Sequence, residues 1–389
     1  MTSTPQLAHV VPGKNHRFHC LDGLRGVAAI LIVFFHLPSE MYSKLRGPNA
    51  YLAVDLFFLL SGFVIAFSYE GRLQKGMRWS DFFAARVIRL WPIYLIGTAI
   101  GALHQIVLPH VGMSLATLAK QTALALFMLP DLHKQTHGSF LYPLDFPAWS
   151  LFFEMIANLL YAALVKQGVA KTSGLIGLCT ISLASLTAWA WRTGNINAGS
   201  DAGTFWGGFA RVGFGFFLGV LLFRAYQRWL QHRNILATKG PLLAIATTIV
   251  TIVALMTPMA SSPIRQVLTV TIIFPAVVLF GSLSRLPSSW KPLMVLLGEI
   301  SFPVYLLHIH FVSLLQLHVI QNLFQRSPSF PSAILFALFC ALLPLSWLLN
   351  KIFDLPVRRF LTHSYNSLFR ATELQPTLRS AESSPRADL

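Results

Sequence analysis

The first long apolar stretch of the chain reads Leu21-Asp-Gly-Leu-Arg-Gly-Val-Ala-Ala-Ile-Leu-Ile-Val-Phe-Phe-His36. Stretches of this kind approach the roughly 20 residues that a helix needs to cross a membrane. Two ionisable residues, Arg25 and His36, stand within it. An ionisable side chain at hydrocarbon depth costs free energy and persists mainly where it faces a polar cavity. This helix therefore carries candidate functional residues.

The composition of the whole chain agrees with a membrane protein. Of its 389 residues, 54% are hydrophobic and 11% are charged, with a mean hydropathy of +0.60. An ordinary soluble domain has about 25% charged residues. The short alternating segments that are typical of a membrane β-barrel are absent from the sequence. The composition therefore predicts an all-α, polytopic integral membrane protein.

The apolar runs predict ten transmembrane helices. The stretch 114–129 is shorter and contains Lys120, which favours an interfacial or re-entrant helix. If this stretch crossed the membrane, every later helix would be inverted. The ten predicted spans are 20–37, 51–68, 89–108, 148–165, 173–191, 204–223, 241–258, 266–284, 293–318 and 332–350.

The distribution of basic residues sets the orientation. With the N-terminus inside, 21 of the 30 Lys and Arg residues fall in inner segments and seven in outer ones. Cytoplasmic segments carry such an excess, so both termini are predicted to be cytoplasmic. The net charge of +16 is explained by this excess of basic residues at the cytoplasmic face, where they are attracted to anionic lipid headgroups. No nucleic-acid-binding motif accompanies it, and no nucleic-acid partner is expected.

Three segments are predicted. Residues 1–19 form a cytoplasmic N-terminal segment, residues 20–360 form the membrane-embedded domain, and residues 361–389 form a disordered cytoplasmic tail rich in polar residues. The three cysteines lie far apart in or beside the spans, so neither a disulfide framework nor a metal site is expected.

The predicted chemistry begins on the first helix. Arg25 and His36 are eleven positions apart, so both face roughly the same side and lie about 16 Å apart along the axis. A neutral imidazole can act as a general base near neutral pH. Asp55 and Glu154 are acids near the outer ends of their spans. They are expected level with His36, where either carboxylate would orient the imidazole.

Two arginines suggest an anion site at the inner boundary. Arg86 and Arg89 are at positions i and i+3 and project together from one helical face. Their guanidinium groups suit a phosphorylated ligand, although the spacing alone is better explained by ordinary anchoring of a helix end at the cytoplasmic surface. The remaining candidates for the lining of a cavity are Ser61, Trp149, Arg211, Tyr305 and His308.

Several stretches resemble, in order, the motifs of acyltransferase family 3, whose members are membrane-bound O-acyltransferases of surface polysaccharides, lipopolysaccharide O-antigens and nodulation factors. The resemblance extends over about residues 20 to 360. The stretches are Leu21-Asp-Gly-Leu-Arg-Gly with His36, Val54-Asp-Leu-Phe-Phe-Leu-Leu-Ser-Gly-Phe63, Arg86-Val-Ile-Arg-Leu-Trp-Pro-Ile-Tyr94, Trp149-Ser-Leu-Phe-Phe-Glu154, Gly298-Glu-Ile-Ser-Phe-Pro-Val-Tyr-Leu-Leu-His308 and Asp354-Leu-Pro-Val-Arg-Arg359.

The resemblance implies an activity and roles for matching residues. It implies a multi-pass protein of the bacterial inner membrane that transfers an acyl group, most often acetyl, from acyl-coenzyme A to a carbohydrate hydroxyl. His36 matches the proposed catalytic residue and Arg25 its partner in the same motif. Arg86 and Arg89 match the paired arginines associated with the donor. Asp354 stands where the closing motif usually has Glu.

These observations predict a polar tunnel that joins the arginines at the inner face to His36 near the outer face. Either direct transfer or an acyl-enzyme fits the sequence. The rival interpretation is an ion-coupled transporter or flippase, because such carriers also contain intramembrane Arg, His and Asp. Against the rival, the sequence shows no inverted repeat.

Overall fold

The computed structural model describes residues 17–38, 47–107, 113–133, 140–230, 240–257, 262–315 and 330–382. Within these ranges the chain is helical and contains no β-strand, apart from an isolated bridge between Phe140 and Asp201.

The described helices are numbered in chain order. The segment Pro263–Leu283 counts as one helix because a π-helical turn, Thr269–Ile273, joins its two halves. The helices are α1 His19–His36, α2 Ala53–Gln74, α3 Trp79–Val107, α4 Leu115–Leu126, α5 Trp149–Lys166, α6 Thr172–Thr193, α7 Phe205–Ala225, α8 Gly240–Met256, α9 Pro263–Leu283, α10 Lys291–Leu314, α11 Phe330–Leu349 and α12 Leu355–Glu382.

The lengths and composition of these helices confirm an all-α polytopic membrane protein. Nine helices in the described ranges are long and apolar enough to cross a membrane, and α8, with 17 residues, is a shorter apolar helix at the predicted seventh span. The structure therefore contains a helix at each of the ten predicted spans.

The helix α4 is too short to cross the membrane. It has 12 residues, about 18 Å of helix, and Ser114 caps its N-terminus by accepting a hydrogen bond from Thr117 N. It packs against α3, where the Tyr94 hydroxyl donates a hydrogen bond to Ala125 O at 2.8 Å. The following helix, α5, runs parallel to α2, as expected if α4 does not invert the chain: Ser61 contacts Glu154, and Met77 O accepts from Lys166.

Small residues let α1 and α10 pack closely and in parallel. A Cβ at Gly26 would meet the backbone of Leu297, and a Cβ at Gly298 would meet Asp22. Close backbone approach at glycine is a common way to pack membrane helices. This contact sets the register of the two helices, which brings polar residues of α1 next to polar residues of α10.

The pair α2 and α7 packs with equal closeness. A Cβ at Gly62 would overlap with the carbonyl oxygen of Phe216, and one at Gly219 would overlap with that of Leu59. Because both obstacles are backbone atoms of a packed helix, neither can move without separating the helices. Gly62 and Gly219 thus allow the close approach of α2 and α7.

We expect Gly62→Ala to destabilise the protein by at least about 1–3 kcal/mol, because the added methyl group forces α2 away from α7. Gly71 is a matched control in the same helix, since a Cβ there would meet no atom within 4 Å. Thermal unfolding in detergent, followed by the loss of the monodisperse peak, checks both variants. Equal melting temperatures for Gly62→Ala and Gly71→Ala would contradict this packing.

The C-terminal region differs from the prediction of a disordered tail. Helix α12 extends from Leu355 to Glu382, beyond the predicted boundary at residue 360, and residues 383–389 lie outside the described ranges. A π-helical turn, Asn350–Asp354, joins α12 to α11. The first turns of α12 pack against α3, where the Tyr365 hydroxyl donates to Asp81 Oδ1 at 2.9 Å. This tertiary contact supports helix that composition alone does not predict.

Candidate active site

A wide chamber opens at the end of the bundle where α1 begins. Its volume is about 1100 Å³, and the last turns of α2, the first turns of α3 and one face of α12 form its walls. Among the described residues, one acidic residue, Asp81, lines the chamber. Six basic residues in the same ranges line it: Arg72, Lys75, Arg78, Arg86, Arg89 and Arg358. This basic chamber presents a net positive surface, which attracts anions.

A narrower cavity of about 160 Å³ continues from the basic chamber into the bundle. The two spaces adjoin because Val64, Ile65, Arg86 and Arg89 line both of them. We call the narrower space the inner cavity. Its other polar lining residues come from α1, α2, α5 and α10: Arg25, Ser61, Ser150, Glu154, Ser301 and Tyr305.

Glu154 lies in the wall of the inner cavity. Its Oε1 accepts a hydrogen bond from Ser61 Oγ at 2.6 Å and another from Arg86 Nη2 at 3.2 Å. The sequence predicts Glu154 beside His36 instead. The difference arises because Glu154 is five residues inside α5, about 7.5 Å along its axis, and the buried Arg86 side chain extends to meet it. The carboxylate therefore holds an arginine, not the imidazole.

Arg25 lines the same cavity from α1. Its Nη2 donates to Asp22 Oδ1 at 3.0 Å, and its Nε donates to Ser301 Oγ at 3.2 Å. Asp22 is one turn earlier on α1, and Ser301 is opposite on α10, so both helices fix the guanidinium. Arg25 is thus a third cationic group in this small cavity, beside Arg86 and Arg89.

Arg89 contacts Phe302 of α10 and Asp354, which follows the last predicted span. Its guanidinium lies 5.7 Å from the ring of Phe302, and its Nη1 is 3.8 Å from Asp354 Oδ2. The same carboxylate accepts a hydrogen bond from Arg358. Asp354 ends the π-helical turn, which rotates its buried side chain toward α3. The closing motif therefore positions two arginines of the basic chamber.

His36 and His308 form a pair of imidazoles. His308 Nε2 is 3.1 Å from His36 Nδ1, and the His308 side chain is fully buried. His308 Nδ1 is 2.7 Å from Tyr305 O, and a carbonyl oxygen can only accept, so this nitrogen carries the proton. His308 Nε2 then accepts from His36 Nδ1, which is also 3.1 Å from Ile32 O. This network assigns the basic lone pair of His36 to Nε2.

A polar layer separates this pair from the inner cavity. The Tyr305 hydroxyl is 2.8 Å from Ser150 Oγ and donates to Pro147 O at 3.0 Å. The ring of Tyr305 lies 6.2 Å from that of His308, which lies 4.9 Å from that of His36. The sequence predicts an open tunnel to His36. In the structure Tyr305 lines the inner cavity and neither histidine does, and Pro147 O and Ser150 Oγ hold the Tyr305 hydroxyl at this boundary.

Asp55 has a different partner from the predicted one. Arg211 on α7 donates to both carboxylate oxygens, from Nε to Oδ1 at 3.0 Å and from Nη2 to Oδ2 at 2.7 Å. Arg211 also donates to Ala198 O and Tyr51 O. The prediction that Asp55 orients His36 is therefore replaced by a buried ion pair between α2 and α7.

The ring of Trp149 packs against the guanidinium group of this ion pair. The guanidinium carbon of Arg211 lies 5.2 Å from the Trp149 ring, which is a cation–π distance. The Trp149 side chain is buried, so it does not act as an aromatic anchor at a membrane surface. Two of the candidate residues, Trp149 and Arg211, thus support the fold beside the site.

Sequence reasoning missed several residues that shape the site. Ser150 lies within a quoted motif, next to Trp149, but a single serine in an apolar helix usually indicates close packing. Phe302 provides the ring that the Arg89 guanidinium contacts. The charged character of Arg358 was visible, although its position in a chamber depends on how α12 folds back.

Comparisons with known proteins agree with the motifs that contribute to this site. The chain is 37% identical to "Protein 2 in picA locus" of Rhizobium radiobacter over 172 residues, which cover 41% of this chain and 88% of that protein. No solved structure matches the chain. The family model of the acyltransferase domain matches residues 18–351, a range that contains His36, the paired arginines and the histidine of α10. The chain therefore belongs to acyltransferase family 3 and is a membrane acyltransferase.

Proposed function

We propose that this acyltransferase takes an acyl group, normally acetyl, from acyl-coenzyme A and transfers it to a hydroxyl of a carbohydrate on the opposite side of the bacterial inner membrane. The observation that carries the proposal is the basic chamber with its narrow continuation. A wide cationic space that leads into a thin polar one matches a donor with a polyanionic nucleotide head and a slender pantetheine arm.

The charges of the two spaces support this match. Arg86 and Arg89 stand where the chamber meets the inner cavity, and guanidinium groups bind phosphate oxygens in pairs of hydrogen bonds. The arm would extend past them toward Arg25 and Tyr305. In this position Arg25 is a cation near the thioester, where it would stabilise negative charge on the carbonyl oxygen during transfer.

The reaction would take place when Tyr305 and Ser150 move apart and the thioester meets His36. In direct transfer, His36 Nε2 removes the proton of the acceptor hydroxyl, the new C–O bond forms, and the C–S bond breaks. The proton then returns to the sulfur, so the products are an ester and free coenzyme A. In the acyl-enzyme route, Nε2 itself carries the acyl group between the two steps. His308 fixes the tautomer that both routes require.

The carbohydrate acceptor rests on the resemblance of the motifs to enzymes that modify surface polysaccharides. The transporter interpretation gains no support from the family match, because that match is to an acyltransferase domain. A transporter would also release no thiol from an acyl-coenzyme A.

Two experiments test it. Purified protein in nanodiscs, incubated with radiolabelled acetyl-coenzyme A and oligosaccharides isolated from the native host, should release free thiol and label the sugar. Mass spectrometry of surface polysaccharides from cells with and without the gene should show a difference of one acyl group per modified residue. Absence of both thiol release and the mass difference would refute the proposal.

The role of Arg86 in binding the donor gives a separate prediction. We expect Arg86→Gln to raise the apparent KM for acetyl-coenzyme A by about 10-fold or more, because a charge-assisted hydrogen bond contributes about 1.5–3 kcal/mol. Arg192→Gln is the control, since Arg192 is exposed in the last turn of α6, at the end of the bundle opposite to the basic chamber. Steady-state kinetics at saturating acceptor checks both variants. A donor KM that is unchanged in Arg86→Gln would contradict the assignment.

A further inference from the structure

The rim of the basic chamber carries two cations to which the proposed function assigns no ligand. Arg72 and Lys75 lie at the end of α2 and line the chamber but not the inner cavity. The guanidinium carbon of Arg72 lies 5.0 Å from the ring of Tyr69. In the part of the chain that the structure describes, neither residue has an acidic partner. Both cations are therefore available to an anionic ligand.

The rim differs from an ordinary positive membrane surface because it is concave. Helix α12 folds back to form the facing wall, where Arg358, Thr362 and Asn366 line the same chamber. The hydrogen bond from Tyr365 to Asp81 holds α12 against α3. Basic residues that only anchor helix ends would face lipid headgroups and would not need an enclosing wall.

The order of the cations along α2 separates two anion positions. Val64 and Ile65 lie where the chamber meets the inner cavity, together with Arg86 and Arg89. Arg72 is eight residues beyond Val64, or about 12 Å along the helix axis. A ligand whose arm occupies the inner cavity would place its nearest phosphates beside Arg86 and Arg89. Any anionic group farther from the arm would then lie toward the rim.

We propose that Arg72 and Lys75 form a second anion subsite that binds the 3′-phosphate on the ribose of coenzyme A. This inference rests on the proposed function, because it assumes that the acyl donor is an acyl-coenzyme A. It adds a specificity to that function: the enzyme distinguishes donors by a phosphate that takes no part in the reaction, while Arg86 and Arg89 bind the diphosphate.

The test compares acetyl-coenzyme A with acetyl-dephospho-coenzyme A, which lacks only the 3′-phosphate. We expect the wild-type protein in zwitterionic nanodiscs to have an apparent KM about 10-fold lower for acetyl-coenzyme A, since the lost contacts are charge-assisted. In the double variant Arg72→Gln/Lys75→Gln, the ratio of the two KM values should fall to about one. Direct binding of coenzyme A and dephospho-coenzyme A to the purified proteins should give the same pattern without turnover.

Two controls distinguish this subsite from general loss of charge. Arg86→Gln should raise both KM values by a similar factor and preserve their ratio. Lys171→Gln removes a charge from the same end of the bundle but outside the chamber, and it should change neither value. Size-exclusion chromatography verifies that each variant is folded.

The outcomes separate the two proposals. If the wild-type protein uses acetyl-coenzyme A but the double variant keeps the wild-type ratio, the subsite is refuted and the proposed function stands. If the wild-type protein uses neither donor, both are refuted. If the double variant alters only the dependence of activity on added anionic lipid, Arg72 and Lys75 bind lipid headgroups, and the subsite is again refuted.

Discussion

Replacing His36 by glutamine is expected to lower acyl transfer by about 10²–10⁴-fold, the usual contribution of a general base, while donor binding and folding stay unchanged. Glutamine keeps hydrogen-bonding capacity in the same space but cannot take a proton from a hydroxyl. The pairing with His308 supports this expectation, because it leaves His36 Nε2 as the basic nitrogen. Initial rates of sugar labelling from radiolabelled acetyl-coenzyme A measure the effect.

Two further variants define the role of the pair. His308→Gln should cause a smaller loss and shift the pH dependence of kcat, because His36 would no longer be held in one tautomer. His363→Gln is the control, since His363 is exposed on α12 and does not line the chamber. A His36→Gln protein that retains more than about a tenth of the wild-type rate would exclude general-base or nucleophilic catalysis at this residue.

The second large effect is expected at the ion pair between Asp55 and Arg211. Replacing either residue alone, by Asp55→Asn or Arg211→Gln, should destabilise the protein by about 3–5 kcal/mol, because the remaining charge is left buried without its partner. The Arg211 side chain is fully buried and that of Asp55 is 4% exposed. Thermal unfolding in detergent should show a large decrease in melting temperature for both.

A double replacement separates a structural role from a catalytic one. Asp55→Leu/Arg211→Met removes both charges and should recover part of the lost stability and measurable acyl transfer. Arg17→Gln is the control for a pair that solvent screens, since the Arg17 side chain is 44% exposed, and it should cost less than about 1 kcal/mol. A double variant that folds normally yet has no activity would show that the pair is needed for the reaction and not only for the fold.

The sequence was sufficient to predict the helices and the depth of the key side chains. Apolar length located the ten spans, and the period of the helix placed Arg25 and His36 on one side of α1 at two depths. In the structure both side chains face α10, where Arg25 Nε donates to Ser301 Oγ and His36 Nδ1 lies 3.1 Å from His308 Nε2. These properties depend on local composition and helical geometry, which a single sequence contains.

The partners of these side chains were not predictable, because they depend on which helices are neighbours. Asp55 lies near the same end of the bundle as His36, as predicted, yet its carboxylate faces α7, 156 positions later in the chain. Glu154 likewise faces Arg86 on α3. Depth follows from counting residues along a helix, whereas the direction of a side chain requires the packing of the whole bundle.

The boundary between the inner cavity and His36 also could not be predicted from the sequence. Tyr305 was identified as a residue of the lining, but its hydroxyl donates to Pro147 O in the 3₁₀ turn, Phe146–Ala148, that precedes α5, and also contacts Ser150 Oγ in the first turn of α5. The effect of the π-helical turn before α12 was equally unpredictable from the sequence. This turn inserts an extra residue into the helical repeat and turns Asp354 toward Arg89, which no apolar period reveals.

The most direct test of the account places the donor and the acceptor on opposite sides of a membrane. Sealed vesicles of defined orientation would contain oligosaccharide on one side and receive radiolabelled acetyl-coenzyme A on the side of the basic chamber. The account predicts labelled sugar when the two substrates are separated in this way, and its loss in the His36→Gln protein. Labelling only when both substrates are on the same side, or equal labelling by the variant, would contradict it.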